Sequence, residues 1–278
     1  MKSQTRRARF WRQLKSDKLS FVACVFLVIV IIASIFAFLT PYDPTAINLS
    51  EKFQPPSKAH FFGTDDYGRD YFTRALYGGR VSISAGVLAV ILSTLIGVTV
   101  GAVSGYFGGI LDNILMRILD IFLSIPWLVM VAIVAMFLNH GFLTIIVVIG
   151  CFSWLHIARI VRGETLTLKE REYVLYSNAS GQSHLRIILK HILLPALPTI
   201  IVSSTLNISS AIMMESTLSF LGMGVQQPMS SWGSMLNNAQ INIGTSTYLA
   251  LFPGVLIIAT VYSFNRLGEV IRALVARD

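Results

Sequence analysis

Residues 19–39 read LSFVACVFLVIVIIASIFAFL, a run with no charged residue and no proline. A helix rises about 1.5 Å per residue, so a run of this length spans about 30 Å, the hydrocarbon thickness of a bilayer. It is apolar on every side, which leaves no face to turn toward water. Seven basic residues precede it (Lys2, Arg6, Arg7, Arg9, Arg12, Lys15 and Lys18), as in a secretory leader. The run is too long for a leader's apolar region, however. The Thr40-Pro41-Tyr42-Asp43-Pro44 that follows holds no small-x-small cleavage site. An uncleaved anchor helix is expected.

The rest of the chain repeats the pattern. Of 278 residues, 54% are hydrophobic and only 13% charged, against about 25% charged in soluble domains. Further apolar runs cover about 81–104, 111–138, 142–161, 196–221 and 247–265. The expected fold class is an all-α polytopic membrane protein with about six transmembrane helices. Three regions are expected: 1–79, holding the anchor and an extracellular loop; a membrane core, 80–269, with an inner loop at about 162–194; and a tail, 270–278. Asn139-His140-Gly141 reads as a tight turn between the third and fourth spans. Cys24 and Cys151 lie in apolar runs and read as small buried hydrophobes, with neither a disulfide framework nor metal-ligand spacing.

The net charge of +8 marks orientation rather than nucleic-acid binding. Six spans put both termini on one side. With that side cytoplasmic, 17 of the 22 Lys and Arg face inward. Besides the N-terminal seven, these are Arg117, the loop residues Arg159, Arg162, Lys169, Arg171, Arg186 and Lys190, and Arg266, Arg272 and Arg277. Lys52, Lys58, Arg69, Arg74 and Arg80 remain outside, offset by acidic neighbours. The positive-inside bias therefore predicts cytoplasmic termini.

Along the second span Ala85, Ala89, Ser93, Gly97, Gly101, Gly105 and Gly109 recur every four residues. Small residues at this interval make a groove into which another helix backbone can settle. Two readings stay open, packing within the chain and contact with another subunit.

Catalytic motifs are missing. There is no Gly-x4-Gly-Lys-Ser/Thr phosphate loop, no His-Glu-x-x-His and no Gly-x-Ser-x-Gly, so neither nucleotide, metal nor nucleophile chemistry is expected of this chain. The inner loop is more informative. Glu172–Ser180 and Gln182–Leu194 are two helix-compatible pieces joined at Gly181. Glycine ends helices because it takes left-handed φ without strain, and Pro195 is expected to break the second piece before the fifth span resumes. Such a helix–Gly–helix element offers a grip to a soluble partner, or else lies unpartnered at the interface.

This loop resembles the coupling motif of ABC importer permeases: Glu-Ala-Ala, three residues, Gly, then Ile-x-Leu-Pro. Gly181 matches the Gly and Ile192 lies close to the Ile. Leu175, Tyr176 and Ser177 stand at the Glu-Ala-Ala positions, and Pro195 comes one residue late. Other segments are similar, in order, to the second permease of peptide/nickel-type importers. They include Thr40–Pro44, Phe62–Asp70, Tyr77–Ser82, Gly105–Gly109, Asp120 with Ser124-Ile125-Pro126, Ala158–Arg162, Glu172–Val174, Glu215–Gln226 and Ser231-Trp232-Gly233. The resemblance implies a type I importer permease in a prokaryotic cell membrane, surrounded by lipid. Its implied partners are a second homologous permease, two cytoplasmic ATPases carrying ATP and Mg²⁺, and an extracellular binding protein. The implied cargo is a di- or oligopeptide, with nickel, a metal chelate or glutathione as alternatives. The coupling residues it implies are Glu172, Tyr173, Ser177, Gly181, Leu185, Ile192 and Pro195. A self-sufficient secondary transporter or channel is the reading from another class. That reading would show inverted repeats or an acidic relay, and neither is visible.

Charges inside apolar runs are costly and therefore informative. Arg117 and Asp120 are three apart on one helical face and are expected to neutralise each other near the inner interface, as a structural pair or a gate. Glu215 falls late in the fifth span, near the outer boundary. It is expected either to hydrogen-bond a neighbouring helix or to line the cavity.

Overall fold

The computed structural model describes residues 17–138 and 141–275. The basic residues Lys2 to Lys15, the Asn139-His140 turn and Arg277 lie outside the described residues.

The described chain is helical, with a single isolated bridge, Thr64 to Asp70. Helix α1, Lys18–Ile35, starts where Asp17 accepts hydrogen bonds from Leu19 N (3.1 Å) and Ser20 Oγ (2.6 Å), satisfying amides that a helix start leaves unpaired. Its buried residues, Ser20, Ala23, Leu27, Val30 and Ser34, form one stripe. Val22, Ile29 and Ile32 face outward and are exposed, as lipid contact requires.

A cap of turns follows, and Asp70 starts α2, Tyr71–Phe107, by accepting from Thr73 N at 2.8 Å. This helix has 37 residues and so runs about 55 Å, well beyond a bilayer core. Its first turns stand in the cap. There Tyr71 OH donates to Leu249 O at 2.6 Å and Arg74 donates to Pro44 O at 3.0 Å.

The third expected span is broken. Helices α3, Gly109–Ser124, and α4, Trp127–Phe137, meet at a 91° bend. Pro126 supplies the cause, since a residue before proline is driven out of the helical region, and Ile125 is extended (φ −92°, ψ 131°). Helix α5, Phe142–Lys169, runs straight through the start of the expected loop. Helix α6, Glu172–Ala179, is followed by α7, His184–Ile187, and α8, Leu194–Phe220.

Pro195 does not break this piece. A π-helical turn, Ile188–Leu193, joins α7 to α8, so His184–Phe220 is one apolar helix of 37 residues. A proline ring crowds the carbonyl four residues earlier, and the wider π turn lies where that crowding falls. Two helices complete the chain, α9, Trp232–Ala239, and α10, Tyr248–Val275. Among the described residues, five helices are long and apolar enough to cross a membrane, or six crossings if the bent α3–α4 pair counts as one.

The four-residue stripe settles on α5 of the same chain. A Cβ on Gly97 would meet Ile157 and Trp154 O, and one on Gly105 would meet Thr165 and Arg162 O. Of the two readings left open, packing within the chain is the one realised here. Gly109 leaves the stripe, taking φ +59° at the start of α3. Cys24 is partly buried. Cys151, expected to be buried, is exposed on α5, while its neighbours Ile149 and Gly150 take the buried side of that turn.

Candidate functional site

The knuckle between α5 and α8 is built by two helix ends. Helix α6 closes with Gly181 at φ +74°. Gly181 N donates to Asn178 O at 3.0 Å and Gln182 N to Ser177 O at 3.2 Å, the paired bonds of a Schellman cap. Nothing lies within 4 Å of where a Gly181 Cβ would be. Val174 turns inward onto buried Ile187, Ile188 and Ile192, and the buried Ser177 donates from Oγ to Tyr173 O at 2.8 Å. Ile192 is fully buried and so supports the knuckle from beneath.

The outward side carries Glu172, Tyr173, Tyr176, Gly181 and Leu185, with Tyr176 75% and Leu185 68% exposed. Pro195 is exposed nearly three turns further on. Beside the knuckle lies a hollow of about 350 Å³ bounded by Tyr106, Lys169, Glu170, Leu175 and His184. Tyr106 OH and His184 Nδ1, 2.8 Å apart, tie the end of α2 to α7 across it.

The charged pairing differs from expectation. Asp120 pairs with Arg159 of α5 at 2.5 Å. Arg117 is exposed and has no ion-pair partner among the described residues. The Arg159 guanidinium on the facing helix comes closer to Asp120 than Arg117 does from one turn back along α3.

A second pair was not anticipated. Arg162 grips Asp112 with two bonds of 2.6 Å, Ser104 Oγ donates to the same carboxylate, and Lys169 Nζ donates to Gly105 O at 3.0 Å. This bidentate clasp joins the ends of α2, α3 and α5. Two charges at the edges of apolar runs were its only trace in the sequence.

Glu215 is fully buried. Ser219 Oγ donates to it at 2.7 Å, with Ser82, Ser216 and Ser231 hydroxyls around it. Ser82 Oγ in turn accepts from Trp232 N at 3.2 Å. Of its two expected roles, bonding to neighbouring helices is the one observed, and it joins α2, α8 and α9.

Between these features, the bend at Ser124–Pro126 opens a cavity of about 510 Å³ against α5 and α8. Phe122, Trp127, Met130 and Met214 supply its apolar wall, and Ser153, His156, Asn207 and Ser210 its polar one. The signal for it was present but faint. Asn207, Ser210 and Met214 fall on one helical face, as do Ile149, Ser153 and His156.

A bundle of membrane-length helices with a hollow among α3, α4, α5 and α8, and a helical knuckle projecting from one end, is the build of a membrane transport subunit. The chain belongs to the family described as binding-protein-dependent transport system inner membrane component, whose profile matches residues 97–277. Residues 4–56 match the N-terminal TM domain of oligopeptide transport permease C. The dipeptide transport system permease protein DppC of Bacillus subtilis is 42% identical over 93% of this chain and 82% of that protein. The oligopeptide transport system permease protein OppC of the same organism is 41% identical over 94% and 86%. The glutathione transport system permease protein GsiD of Escherichia coli O1:K1 is 36% identical over 95% and 88%. Among solved structures, a chain of the inward-facing MetNI methionine ABC transporter aligns with a TM-score of 0.59. It is 20% identical, over 73% of this chain and 97% of that one, which supports the type I importer permease fold. The chain is thus an ABC importer permease.

Proposed function

We propose that this permease carries di- and oligopeptides, forming half of a pathway completed by a second homologous permease. Two cytoplasmic ATPases would supply ATP and Mg²⁺ chemistry, and an extracellular binding protein would deliver cargo. The observation that carries the peptide reading is the identity above 40% to both the dipeptide and the oligopeptide permease over more than nine-tenths of the chain. Glutathione is the second reading, favoured by the similarity to GsiD. Physically, ATP binding draws the ATPases together, the knuckle transmits the motion, and the bundle alternates between outward and inward access. The test is uptake by the complete transporter in proteoliposomes. Labelled di- and tetrapeptides should accumulate with ATP and binding protein present. Accumulation of nickel or glutathione with no peptide uptake would refute the reading.

The bias of Lys and Arg supports a cytoplasmic placement of both termini and of the knuckle, with 40–79 and 222–246 outside. In a variant lacking Cys24 and Cys151, an impermeant thiol reagent applied to intact cells should label Ser57→Cys and spare Gln182→Cys. The reverse pattern would invert the orientation.

A further inference from the structure

We propose that Glu215 is a positioning residue for transport. Through three serine hydroxyls it holds the segment 222–239 against the bundle, and so sets how readily that segment lifts. The inference needs an importer permease but no particular cargo.

The segment follows α8 at the end of the bundle opposite the knuckle, and it contains α9. It carries no charged residue, so no ion pair holds it down. Its first residue, Gly222, takes φ +80° with nothing within 4 Å of a would-be Cβ, which leaves room to pivot. Beyond that pivot the segment is fastened. Val225, Ser230, Ser231 and Trp232 are buried, and a Cβ on Gly233 would collide with Ser216 O.

The fastenings lead to one side chain. Val225 N donates to Ser219 Oγ at 3.4 Å, Trp232 N to Ser82 Oγ at 3.2 Å and Ser234 N to Ser231 Oγ at 3.2 Å. Each of these oxygens therefore accepts from the segment's backbone. A hydroxyl has one hydrogen left to give. All three serines bond Glu215 with theirs, Ser219 at 2.7 Å. The fully buried carboxyl group thus turns three hydroxyls so that their lone pairs face the three amides. Ser82 belongs to α2, Ser219 to α8 and Ser231 to the start of α9, so one group orients contacts from three elements.

A side chain that only filled space could not do this. Glutamine has nearly the same shape, but its amide nitrogen donates. A hydroxyl beside that nitrogen must accept from it and swing its own hydrogen toward the backbone amide it held. Donor then faces donor, and that hold on the segment is lost.

The test uses the complete transporter in nanodiscs, with Cys24 and Cys151 replaced by serine. Ser230→Cys, nearly isosteric at a position 5% exposed, reports lifting of the segment through its rate of labelling by a maleimide. Ser93→Cys, at a fully buried position further along α2, reports general loosening. Glu215→Gln should speed labelling at Ser230→Cys about tenfold, the effect of one lost buried hydrogen bond, and leave Ser93→Cys unchanged. ATP hydrolysis without binding protein should rise about threefold as the form seen here loses its advantage. Adding Ser231→Ala to Glu215→Gln should change little, because both cut the same relay. If Glu215→Gln fails to accumulate, Ser219→Ala, which frees only Val225 N, should give the same pattern at smaller size. Unmoved labelling at Ser230→Cys would overturn the relay. An equal rise at Ser93→Cys would overturn it too, by reducing Glu215 to packing. Faster labelling with unmoved ATP hydrolysis would overturn its part in transport.

Discussion

Replacing Gly101 with valine should remove most folded permease from the membrane. A Cβ at this position would lie 2.5 Å from Ala158 O, 2.9 Å from Val161 Cβ and 3.0 Å from Arg162 N. Two of these three atoms are backbone, so no rotamer change can yield. Helices α2 and α5 would have to part, and the parting would spread to Gly97 and Gly105, whose would-be Cβ atoms are nearly as crowded. Helices in lipid have little hydrophobic force to draw them together and depend on close packing. The separation should therefore cost about 3 kcal/mol, the upper part of the range for overpacking. It would also pull Arg162 from Asp112, because Arg162 stands on the displaced turn. Gly163 has open space at its Cβ, so Gly163→Ala is the matched control. Thermal unfolding in detergent and membrane abundance should fall sharply for Gly101→Val and hardly at all for Gly163→Ala. Wild-type stability of Gly101→Val would show that the α2–α5 seam is looser than described.

Gly181→Val should fail differently, leaving an inserted, stable permease that transports poorly. The φ of +74° is one a β-branched residue resists. The empty surroundings of Gly181 mean that strain, not collision, is the cost, about 1–3 kcal/mol held locally. Relief would come from unwinding the Schellman cap, which turns the exposed face of α6 relative to α7. The long apolar helices insert without help from this turn. Uptake should drop about fivefold or more at matched membrane abundance, and ATP hydrolysis should respond less to loaded binding protein. Asn tolerates left-handed φ, so Gly181→Asn should keep most of the activity. Normal uptake by Gly181→Val would refute the coupling role of the knuckle. Equal loss in both variants would place the effect in partner contact rather than in φ.

Local patterns were legible in the residues. Each apolar run is long enough to demand a bilayer, whatever it packs against, and charges were sparse enough to mark the ends. Gly181 announced a helix end because few other residues take its conformation. The small-residue stripe announced a close helix approach. Its partner was not legible, since a groove accepts any helix that fits and only the assembled bundle puts Ile157, Ala158 and Val161 into it.

Other features depended on distance in space. Asp120 had a sequence neighbour of opposite charge, Arg117, yet pairs with Arg159, 39 positions away. The π turn absorbed Pro195, which local rules made a helix breaker. Pro126 bends its span by 91°, though residues 121–138 around it carry no charge.

By itself, then, the sequence determined an all-helical membrane chain with about six crossings, a one-sided bias of basic residues and a glycine-hinged element between the fourth and fifth spans. Length, hydropathy and φ preference act within a few turns of chain and need no partner to operate. The tertiary structure alone decided the α2–α5 seam, the Asp112–Arg162 clasp, the serine shell of Glu215 and the cavity between the broken α3–α4 pair and helices α5 and α8. Each joins residues dozens of positions apart, and their meeting follows from how whole helices pack, which no local pattern encodes.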